Sequence, residues 1–200
     1  MATSSMSMAA SQPASDPAAR PGVQAVLRRA VVVMGVSGCG KSSVGAGVAA
    51  ALGLDYVDGD DLHDAASVSK MRAGLSLTDL DRWPWLGRIG ARLADAQAAP
   101  PGLVVACSAL RRDYRDCLRG AAPGVSFVFL DGPRALIRQR MEQRLGHYMP
   151  AQLLDSQLQT LERPGPDEPD VLTLDIDAPV ATLIERAAAA LQQPGALPLR

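Results

Sequence analysis

The stretch Gly35-Val36-Ser37-Gly38-Cys39-Gly40-Lys41-Ser42 decides how the rest of the sequence is interpreted. It follows an apolar run, residues 30–34, and precedes a segment of small and apolar residues, 44–52. This context predicts a loop between a buried strand and a helix. Glycines at this spacing let successive backbone N–H groups curl around an anion, and the start of the following helix favours negative charge. The stretch therefore indicates a phosphate-binding P-loop.

Individual residues of the loop have separate expected roles. Lys41 is expected to reach the β- and γ-phosphates of a nucleotide, and the Ser42 hydroxyl to take one position on Mg²⁺. Cys39 is interpreted as a small filler, with an accessible thiol as the alternative. The alternative is a glycine-rich turn with a solvated lysine. It is disfavoured because such a turn would not need the flanking strand and helix. The residues expected to bind the nucleotide are Gly35, Val36, Ser37, Gly38, Cys39, Gly40, Lys41, Ser42 and Ser43.

Composition indicates one soluble domain. The chain has 200 residues, of which 48% are hydrophobic and 20% charged, which suits a single domain with an ordinary core. A formal net charge of -1 offers no overall attraction for nucleic acid or an anionic membrane. No apolar stretch is long enough to span a bilayer. The three cysteines lack metal-type or paired spacing, which favours reduced thiols in a cytoplasmic protein.

The ends of the chain are predicted to lie outside the folded domain. Residues 1–27 are rich in Ser, Ala and Pro, so we expect a disordered tail. A transit peptide is the alternative, because the segment is Ser-rich and poor in acids, although its basic residues are few. The domain is placed at residues 28–193, and residues 194–200 are expected to be flexible.

Two aspartates follow the next predicted strand, residues 54–57. Ligands of open α/β sheets bind beyond the carboxyl ends of the strands, which is where Asp58 and Asp60 lie. One could orient water on the Mg²⁺ and the other could accept a proton from a substrate hydroxyl. An Asp-Gly turn with solvated carboxylates is the alternative. His63 carries a weaker signal, since a turn or capping histidine is commoner.

The remainder of the chain alternates predicted helices with apolar strands. Asp79 is taken as the N-cap of a long helix that has Pro84 in its first turns. Ser108 follows an apolar strand, so its hydroxyl is expected to face the cleft. About five β-α units predict an α/β fold with a parallel sheet covered on both faces. The predicted elements are helix 67–73, a helix from 79 past 93, strand 103–107, helix 111–120, strand 126–130, helix 133–144, a helix ending near 161, strand 170–175 and helix 180–191.

Two of these helices are interpreted as a hinged lid over about residues 134–161. The first is rich in arginine, and a short break containing Gly146 separates it from the second. On closure the arginines could stabilise charge on a transferred phosphoryl group. A solvated basic helix face is the alternative. The arginines are Arg134, Arg138, Arg140 and Arg144.

Several blocks, in order, resemble the gluconate kinases (gluconokinases) of bacterial type over residues 31–191. The P-loop indicates only nucleotide binding, and the other blocks are more specific. They are Asp58-Gly59-Asp60-Asp61-Leu62-His63, Lys70-Met71 with Gly74, Asp81-Arg82-Trp83-Pro84-Trp85-Leu86, Cys107-Ser108-Ala109-Leu110-Arg111-Arg112-Asp113-Tyr114-Arg115, Gly146-His147-Tyr148-Met149, and Ser156-Gln157 through Thr160-Leu161-Glu162.

The resemblance implies a three-layer P-loop kinase fold with a five-stranded parallel sheet and a helical lid. It implies transfer of the γ-phosphoryl group of ATP to the 6-hydroxyl of D-gluconate with Mg²⁺, and a homodimer. Lys41, Asp60 and Arg144 are then the expected catalytic residues, with Arg140 beside the nucleotide and Ser42 and Asp58 at the metal. A carboxylate and a row of hydroxyls need a forked cation with several donors and acceptors. That acceptor shell is expected from Asp60, His63, Arg82, Ser108 and His147.

The chain departs from the family pattern beside the expected acceptor pocket. Asp64 and Ser67 stand where the family usually has Pro and Asn, and Ser76 stands where Pro is common. A kinase for another small hydroxy acid, such as shikimate, or for a nucleotide is therefore a second hypothesis. A P-loop ATPase switch without a small acceptor is a third. The lid arginines and the Asp58/Asp60 pair favour phosphoryl transfer, because a kinase must exclude water.

Overall fold

The computed structural model describes residues 30–143 and 151–193. Within these ranges the chain forms five strands and seven α-helices, with a 3₁₀ turn at Gly59–Leu62. The strands are β1 (Ala30–Met34), β2 (Asp55–Asp58), β3 (Leu103–Ala106), β4 (Ser126–Asp131) and β5 (Val171–Asp175). The helices are α1 (Lys41–Leu52), α2 (Ala65–Arg72), α3 (Asp79–Ala98), α4 (Arg112–Ala121), α5 (Arg134–Glu142), α6 (Ala151–Thr160) and α7 (Val180–Leu191).

All five strands are parallel and pair in the order β2-β3-β1-β4-β5. The strand that leads into the phosphate loop is thus central, with β3 on one side and β4 on the other. Its register pairs Val32 with Val105 of β3 and with Phe127 of β4. Because the strands are parallel, the loops after β1, β2 and β3 emerge at one edge of the sheet. The expected α/β fold with a five-stranded parallel sheet is confirmed.

Each face of the sheet carries its own apolar core. Side chains alternate along β1, so Val31 and Val33 face α1 and α7, whereas Val32 and Met34 face α3 and α4. All five residues of β1 are buried, which fits a strand covered on both faces. The arrangement is the predicted three-layer one, with helices on both sides.

The start of α3 differs from the prediction. The N-cap is Thr78, not Asp79. The Asp81 carboxylate accepts hydrogen bonds from the Thr78 backbone N–H at 2.9 Å and from its hydroxyl at 2.8 Å. This is a capping box, in which the third helical residue reaches back to the cap. Asp79 is left free for tertiary contacts, and Pro84 lies inside the helix in its second turn.

The helices predicted to form a lid are packed on the domain. Ile137 of α5 and Leu154 of α6 are each 1% exposed and belong to the core beside α1. An ion pair of 2.6 Å between Arg134 and Asp155 joins the two helices. The break between them, residues 144–150, lies outside the described residues, as do the predicted tail and residues 194–200. Hinged motion of a lid therefore stays a prediction.

Across the described residues, every helix is too short or too polar to cross a membrane.

Candidate active site

The phosphate loop joins the end of β1 to the start of α1. Gly40 caps the helix with φ of 102°, a left-handed conformation that disfavours residues with a side chain. Gly38 also has positive φ, and a Cβ there would lie 2.5 Å from the Met141 side chain of α5. The N–H of Gly35 donates to the Ser108 carbonyl at 3.3 Å, which ties the loop to the end of β3. The loop therefore has the predicted strand before it and helix after it.

Lys41 and Cys39 occupy different environments in this loop. The Lys41 ammonium donates to the carbonyl of Val36 at 3.1 Å, so its charge lies within the curve of the loop. Cys39 is 1% exposed. Burial raises the pKa of its thiol, although the nearby charge of Lys41 opposes the shift. Cys39 is thus a buried filler, and the alternative of an accessible thiol is wrong.

Ser42 and Asp58 meet at the mouth of the loop. The Ser42 hydroxyl donates to Oδ2 of Asp58 at 2.9 Å, and the Tyr56 hydroxyl approaches the same oxygen at 3.4 Å. The other carboxylate oxygen, Oδ1, accepts from the Asp60 backbone N–H at 3.1 Å and caps the 3₁₀ turn. Asp58 therefore connects the first turn of α1 with the segment that carries Asp60.

Asp60 lies in this 3₁₀ turn, exposed to solvent yet surrounded by the walls of the cleft. Desolvation in the cleft raises the pKa of its carboxyl. The positive charge of Lys41 opposes the shift, and the negative charge of Asp58 adds to it. A raised pKa makes Asp60 a stronger base than an ordinary surface aspartate.

His63 stacks on Trp85 at the other end of the 3₁₀ turn. The ring centroids are 4.3 Å apart and the planes are 12° from parallel. The Trp85 indole N–H donates to the carbonyl of Gly59 at 2.7 Å, so α3 anchors the turn. Burial lowers the pKa of the His63 imidazole, although Asp60 opposes the shift. Among the described residues, no hydrogen-bond partner meets the buried Nδ1 atom of His63.

Arg82 belongs to a polar cluster on α3 and α4. Its guanidinium lies 3.4 Å from the Tyr114 hydroxyl and 3.7 Å from Oδ1 of Asp79. The Tyr114 hydroxyl donates to Asp79 at 2.6 Å, and Arg111 donates to the same carboxylate at 2.7 Å. The hydrogen bond from Tyr114 lowers the pKa of Asp79. One carboxylate thus orients two guanidinium groups, and Arg82 remains a quarter exposed.

Ser108 lies on the turn between β3 and α4. Its neighbour Ala109 is fully buried and has φ of 42°, a conformation uncommon for a residue with a side chain. The Arg115 guanidinium donates to the carbonyls of Ala109 and Leu110 at 3.3 and 3.4 Å. The same guanidinium forms two bonds of 2.7 Å to Glu168, and both side chains are buried. This buried pair holds the turn that carries Ser108.

The expected phosphate-side arginines are not all described. Arg140 of α5 donates to the carbonyl of Ile176, after β5, at 2.7 Å. Its charge is also near enough to the phosphate loop to act on Cys39. Arg144 and His147 lie outside the described residues.

The sequence analysis assigned Asp79 only a capping role. It gave no role to Arg111, Tyr114 and Gln157, although these three lie in the blocks that carry the family resemblance. The Gln157 side-chain oxygen accepts a hydrogen bond of 2.6 Å from the backbone N–H of Ser37, across a separation of 120 residues. No local pattern marks such a contact. One sequence feature could have indicated the polar cluster around Asp79, namely the density of charged and aromatic residues in the two blocks that contain Arg82 and Arg111.

Comparison with known proteins decides the family. A family model described as an AAA domain matches residues 31–164. The thermosensitive gluconokinase of Escherichia coli strain K12 is 45% identical over 156 residues, covering 78% of this chain and 83% of that enzyme. The chain belongs to the gluconokinase family.

Other gluconokinases agree with this assignment. The enzyme of Gluconobacter oxydans strain 621H is 49% identical over 141 residues, covering 70% of this chain and 79% of that enzyme. The crystal structure of a gluconokinase from Sinorhizobium meliloti 1021 superposes with a TM-score of 0.76 at 48% identity, covering 82% of this chain and 92% of that one. The resemblance and the P-loop kinase fold inferred from sequence are both confirmed. As a gluconokinase family member, the chain is a kinase with a nucleotide-binding P-loop.

Proposed function

We propose that this chain transfers the γ-phosphoryl group of ATP to the 6-hydroxyl of D-gluconate, giving 6-phospho-D-gluconate, in the catabolism of D-gluconate. The observation that carries the proposal is the Ser42–Asp58 hydrogen bond of 2.9 Å, which places Asp60 beside the phosphate loop. A hydrolytic switch needs no second carboxylate there, whereas a kinase needs a base for its acceptor. Family membership makes gluconate the acceptor of choice over shikimate or a nucleotide.

The residues at the loop fit Mg²⁺. Ser42 and Asp58 offer a hydroxyl and a carboxylate, which are hard oxygen ligands. Among residues 30–143 and 151–193, no group of three or more His, Cys, Asp and Glu side chains could hold a metal. This suits an ion that arrives with the nucleotide, since Mg²⁺ in kinases keeps water and phosphate oxygens as further ligands. When bound, Mg²⁺ would neutralise charge on the β- and γ-phosphates.

Asp60 is the proposed general base. Its carboxylate accepts the proton of the 6-hydroxyl as that oxygen bonds to the γ-phosphorus, and the bond from phosphorus to the β-γ bridging oxygen breaks to release ADP. Lys41 stabilises the charge that develops on the phosphoryl oxygens. The loop of residues 35–43 surrounds the remaining phosphates, and the N–H groups that are not bonded to Ser108 or Gln157 hold them. The raised pKa of Asp60 supports its role as proton acceptor.

The acceptor shell is proposed from His63, Arg82, Ser108 and His147, with Asp60 at the reacting hydroxyl. The partly exposed guanidinium of Arg82 supports it, because this group has hydrogen-bonding capacity to offer. Arg140 and Arg144 are proposed to act on the phosphates, and residues 134–161 to form the lid that excludes water.

We further propose a homodimer in the cytoplasm, built from one domain at residues 28–193 between two flexible ends. Cys39, Cys107 and Cys117 are free thiols, which supports a reducing compartment. Light scattering coupled to size exclusion distinguishes a dimer from a monomer.

The deciding experiment is ADP production by the purified chain with Mg-ATP. It is run alone and with D-gluconate, other sugar acids, shikimate or nucleoside monophosphates. Strong stimulation by gluconate alone is the expected result. Stimulation by a different acid would keep the kinase but replace its acceptor, and would direct attention to Asp64, Ser67 and Ser76. Absence of stimulation, with ATP still bound, would favour the switch.

A further inference from the structure

One hydrogen bond at the phosphate loop takes no part in the proposed phosphoryl transfer. The Ser37 N–H, third in the loop, donates to the Oε1 atom of Gln157 on α6 at 2.6 Å. Backbone N–H groups of this loop are the groups that bind phosphate in a P-loop. One of them is instead satisfied by a neutral side chain from a distant helix.

The helix that carries Gln157 is held firmly. Leu154 is 1% exposed in the core beside α1, and Leu158 packs against the same core. Both leucines lie one turn or less from Gln157. The ion pair of Asp155 with Arg134 adds a link to α5. The position of the Gln157 amide is therefore set by packing, as a preorganised contact requires.

The loop is covered at the neighbouring residue as well. A side chain at Gly38 would collide with Met141 and lie 3.2 Å from Ile137, so α5 packs directly on the loop backbone. Ser37 and Gly38 are thus each contacted by a distant helix, Ser37 by α6 through a hydrogen bond and Gly38 by α5 through apolar contact. The Lys41 ammonium, which donates to the Val36 carbonyl, lies at the same loop.

The chemistry of an amide suits this place. Its oxygen accepts from Ser37, and its NH₂ group, on the same planar unit, is a donor close to the loop. A carboxylate of the same length could accept from Ser37 equally well but would repel a polyphosphate. Apolar side chains would leave the Ser37 N–H without its acceptor.

We propose that Gln157 is a positioning residue for phosphoryl transfer, which fixes the phosphate loop through Ser37 and presents an uncharged donor to the bound polyphosphate. This inference rests on the proposed function for its kinetic consequence, but its effect on nucleotide affinity does not depend on the acceptor.

The test compares Gln157→Met and Gln157→Glu with the same changes at Gln159. Gln159 is two residues along α6 and exposed, so it reports what each substitution does to the helix alone. Binding of Mg-ADP and of a non-hydrolysable ATP analogue is measured by calorimetry. Hydrogen exchange is followed in the peptide that contains Ser37, and KM for ATP and for gluconate are measured separately.

For Gln157→Met we expect affinity for the ATP analogue to fall about three- to tenfold, the range for one lost hydrogen bond, with faster exchange at Ser37. For Gln157→Glu we expect a larger fall, roughly tenfold or more, because the carboxylate lies near the phosphates. KM for gluconate should stay within about twofold of the wild-type value in both variants. The reason is that Gln157 contacts the phosphate loop, on the nucleotide side of the site. Both Gln159 variants should match the wild type.

Two results would overturn the proposal. If Gln157→Glu binds nucleotide as the wild type does, the contact only docks α6, because a carboxylate keeps the acceptor. If Gln157→Met equals Gln159→Met in both binding and exchange, the contact has no role. Should the wild type fail to phosphorylate gluconate, the proposed function fails, while the binding and exchange results still decide the role of Gln157.

Discussion

Ser42, on the first turn of α1, donates a hydrogen bond of 2.9 Å to Oδ2 of Asp58, at the end of β2. β2 and β1 are not neighbours in the sheet, since β3 lies between them. The contact therefore spans the cleft above β3 and joins the phosphate loop to the segment that carries Asp60. We propose that this hydroxyl and this carboxylate also meet the metal that arrives with the phosphates.

Asp58→Asn should raise the Mg²⁺ concentration needed for half-maximal kinase activity. The amide keeps an acceptor for Ser42 but removes the charge that favours a divalent cation. A shift of roughly tenfold corresponds to one weakened ionic contact of about 1.4 kcal/mol. Asp55→Asn, at the exposed start of the same strand, is the control. An unchanged Mg²⁺ requirement in Asp58→Asn would remove this residue from the metal site.

Asp60→Asn should lower kcat by about 10²–10⁴, the usual contribution of a general base. KM for ATP should change little, because the amide adds no charge near the phosphates. Asp61→Asn is the matched control, since Asp61 is the adjacent exposed carboxylate of the same turn. Equal turnover in Asp60→Asn and wild type would assign the base elsewhere.

The titration of Asp60 is a separate prediction. Desolvation raises its pKa in the folded chain, and Asp58 adds to the shift. A base works only when deprotonated, so the raised pKa moves the acidic limb of kcat to higher pH than an ordinary aspartate would. Carboxyl ¹³C shifts, assigned by comparison with Asp60→Asn, measure this pKa without substrate. The pKa of Asp60 should be lower in Asp58→Asn than in the wild type. A wild-type Asp60 pKa at or below that of a solvated aspartate would contradict the prediction.

Arg82→Met should weaken the binding of gluconate and leave the binding of ATP unchanged. Loss of a charge-assisted hydrogen bond to a carboxylate costs about 1.5–3 kcal/mol, or roughly 10- to 150-fold in KM for gluconate. Arg92→Met is the control, because Arg92 is exposed on the same helix. A rise in KM for ATP instead would place Arg82 on the nucleotide side of the cleft.

Glu168→Gln should destabilise the fold. Arg115 is 1% and Glu168 3% exposed, and breaking a buried ion pair costs about 3–5 kcal/mol in the free energy of unfolding. Chemical denaturation measures the change. Glu142→Gln, which removes an exposed partner of Arg138 on α5, should cost about 0.5 kcal/mol or less. Equal effects of the two substitutions would show that the buried pair contributes no more than a surface one.

The same pair predicts how stability depends on pH. Burial alone would raise the pKa of Glu168, but hydrogen bonds from Arg115 and Arg119 outweigh it and the pKa is lowered. The unfolded chain therefore takes up a proton first as pH falls. The stabilisation is complete above the pKa of an unfolded glutamate and is lost as pH falls through the lower folded pKa. Glu168→Gln should flatten this part of the stability profile.

Local sequence was sufficient where short-range physics decides structure. β1 and α7 have the predicted bounds, and most other elements differ by one or two residues. The phosphate loop could be predicted because its glycines, lysine and serine act within a few consecutive residues. The cap of α3 was predicted at Asp79, one residue late, because Thr78 and Asp81 form a reciprocal pair that neither residue reveals by itself.

Much of the candidate site could not be predicted from local sequence. Asp79 looks like a capping residue, yet it orients Arg82 and Arg111 with help from Tyr114, which lies 35 residues away. Gln157 was quoted as part of a family block and assigned nothing, although its amide reaches Ser37. Each of these contacts depends on how α3, α4 and α6 are placed around the sheet.

The class of fold, the phosphate loop and the position of Asp58 and Asp60 at the carboxyl end of β2 could be predicted from local sequence alone. These follow from apolar runs, glycine spacing and helix starts, which are short-range properties of the chain. The strand order β2-β3-β1-β4-β5 depends on how the whole chain packs, as do the contacts of Ser42 with Asp58, Arg115 with Glu168 and Ser37 with Gln157. Parallel strands with similar apolar side chains can pair in many orders, so the packing of both cores selects one, and that choice brings distant polar groups within hydrogen-bond reach.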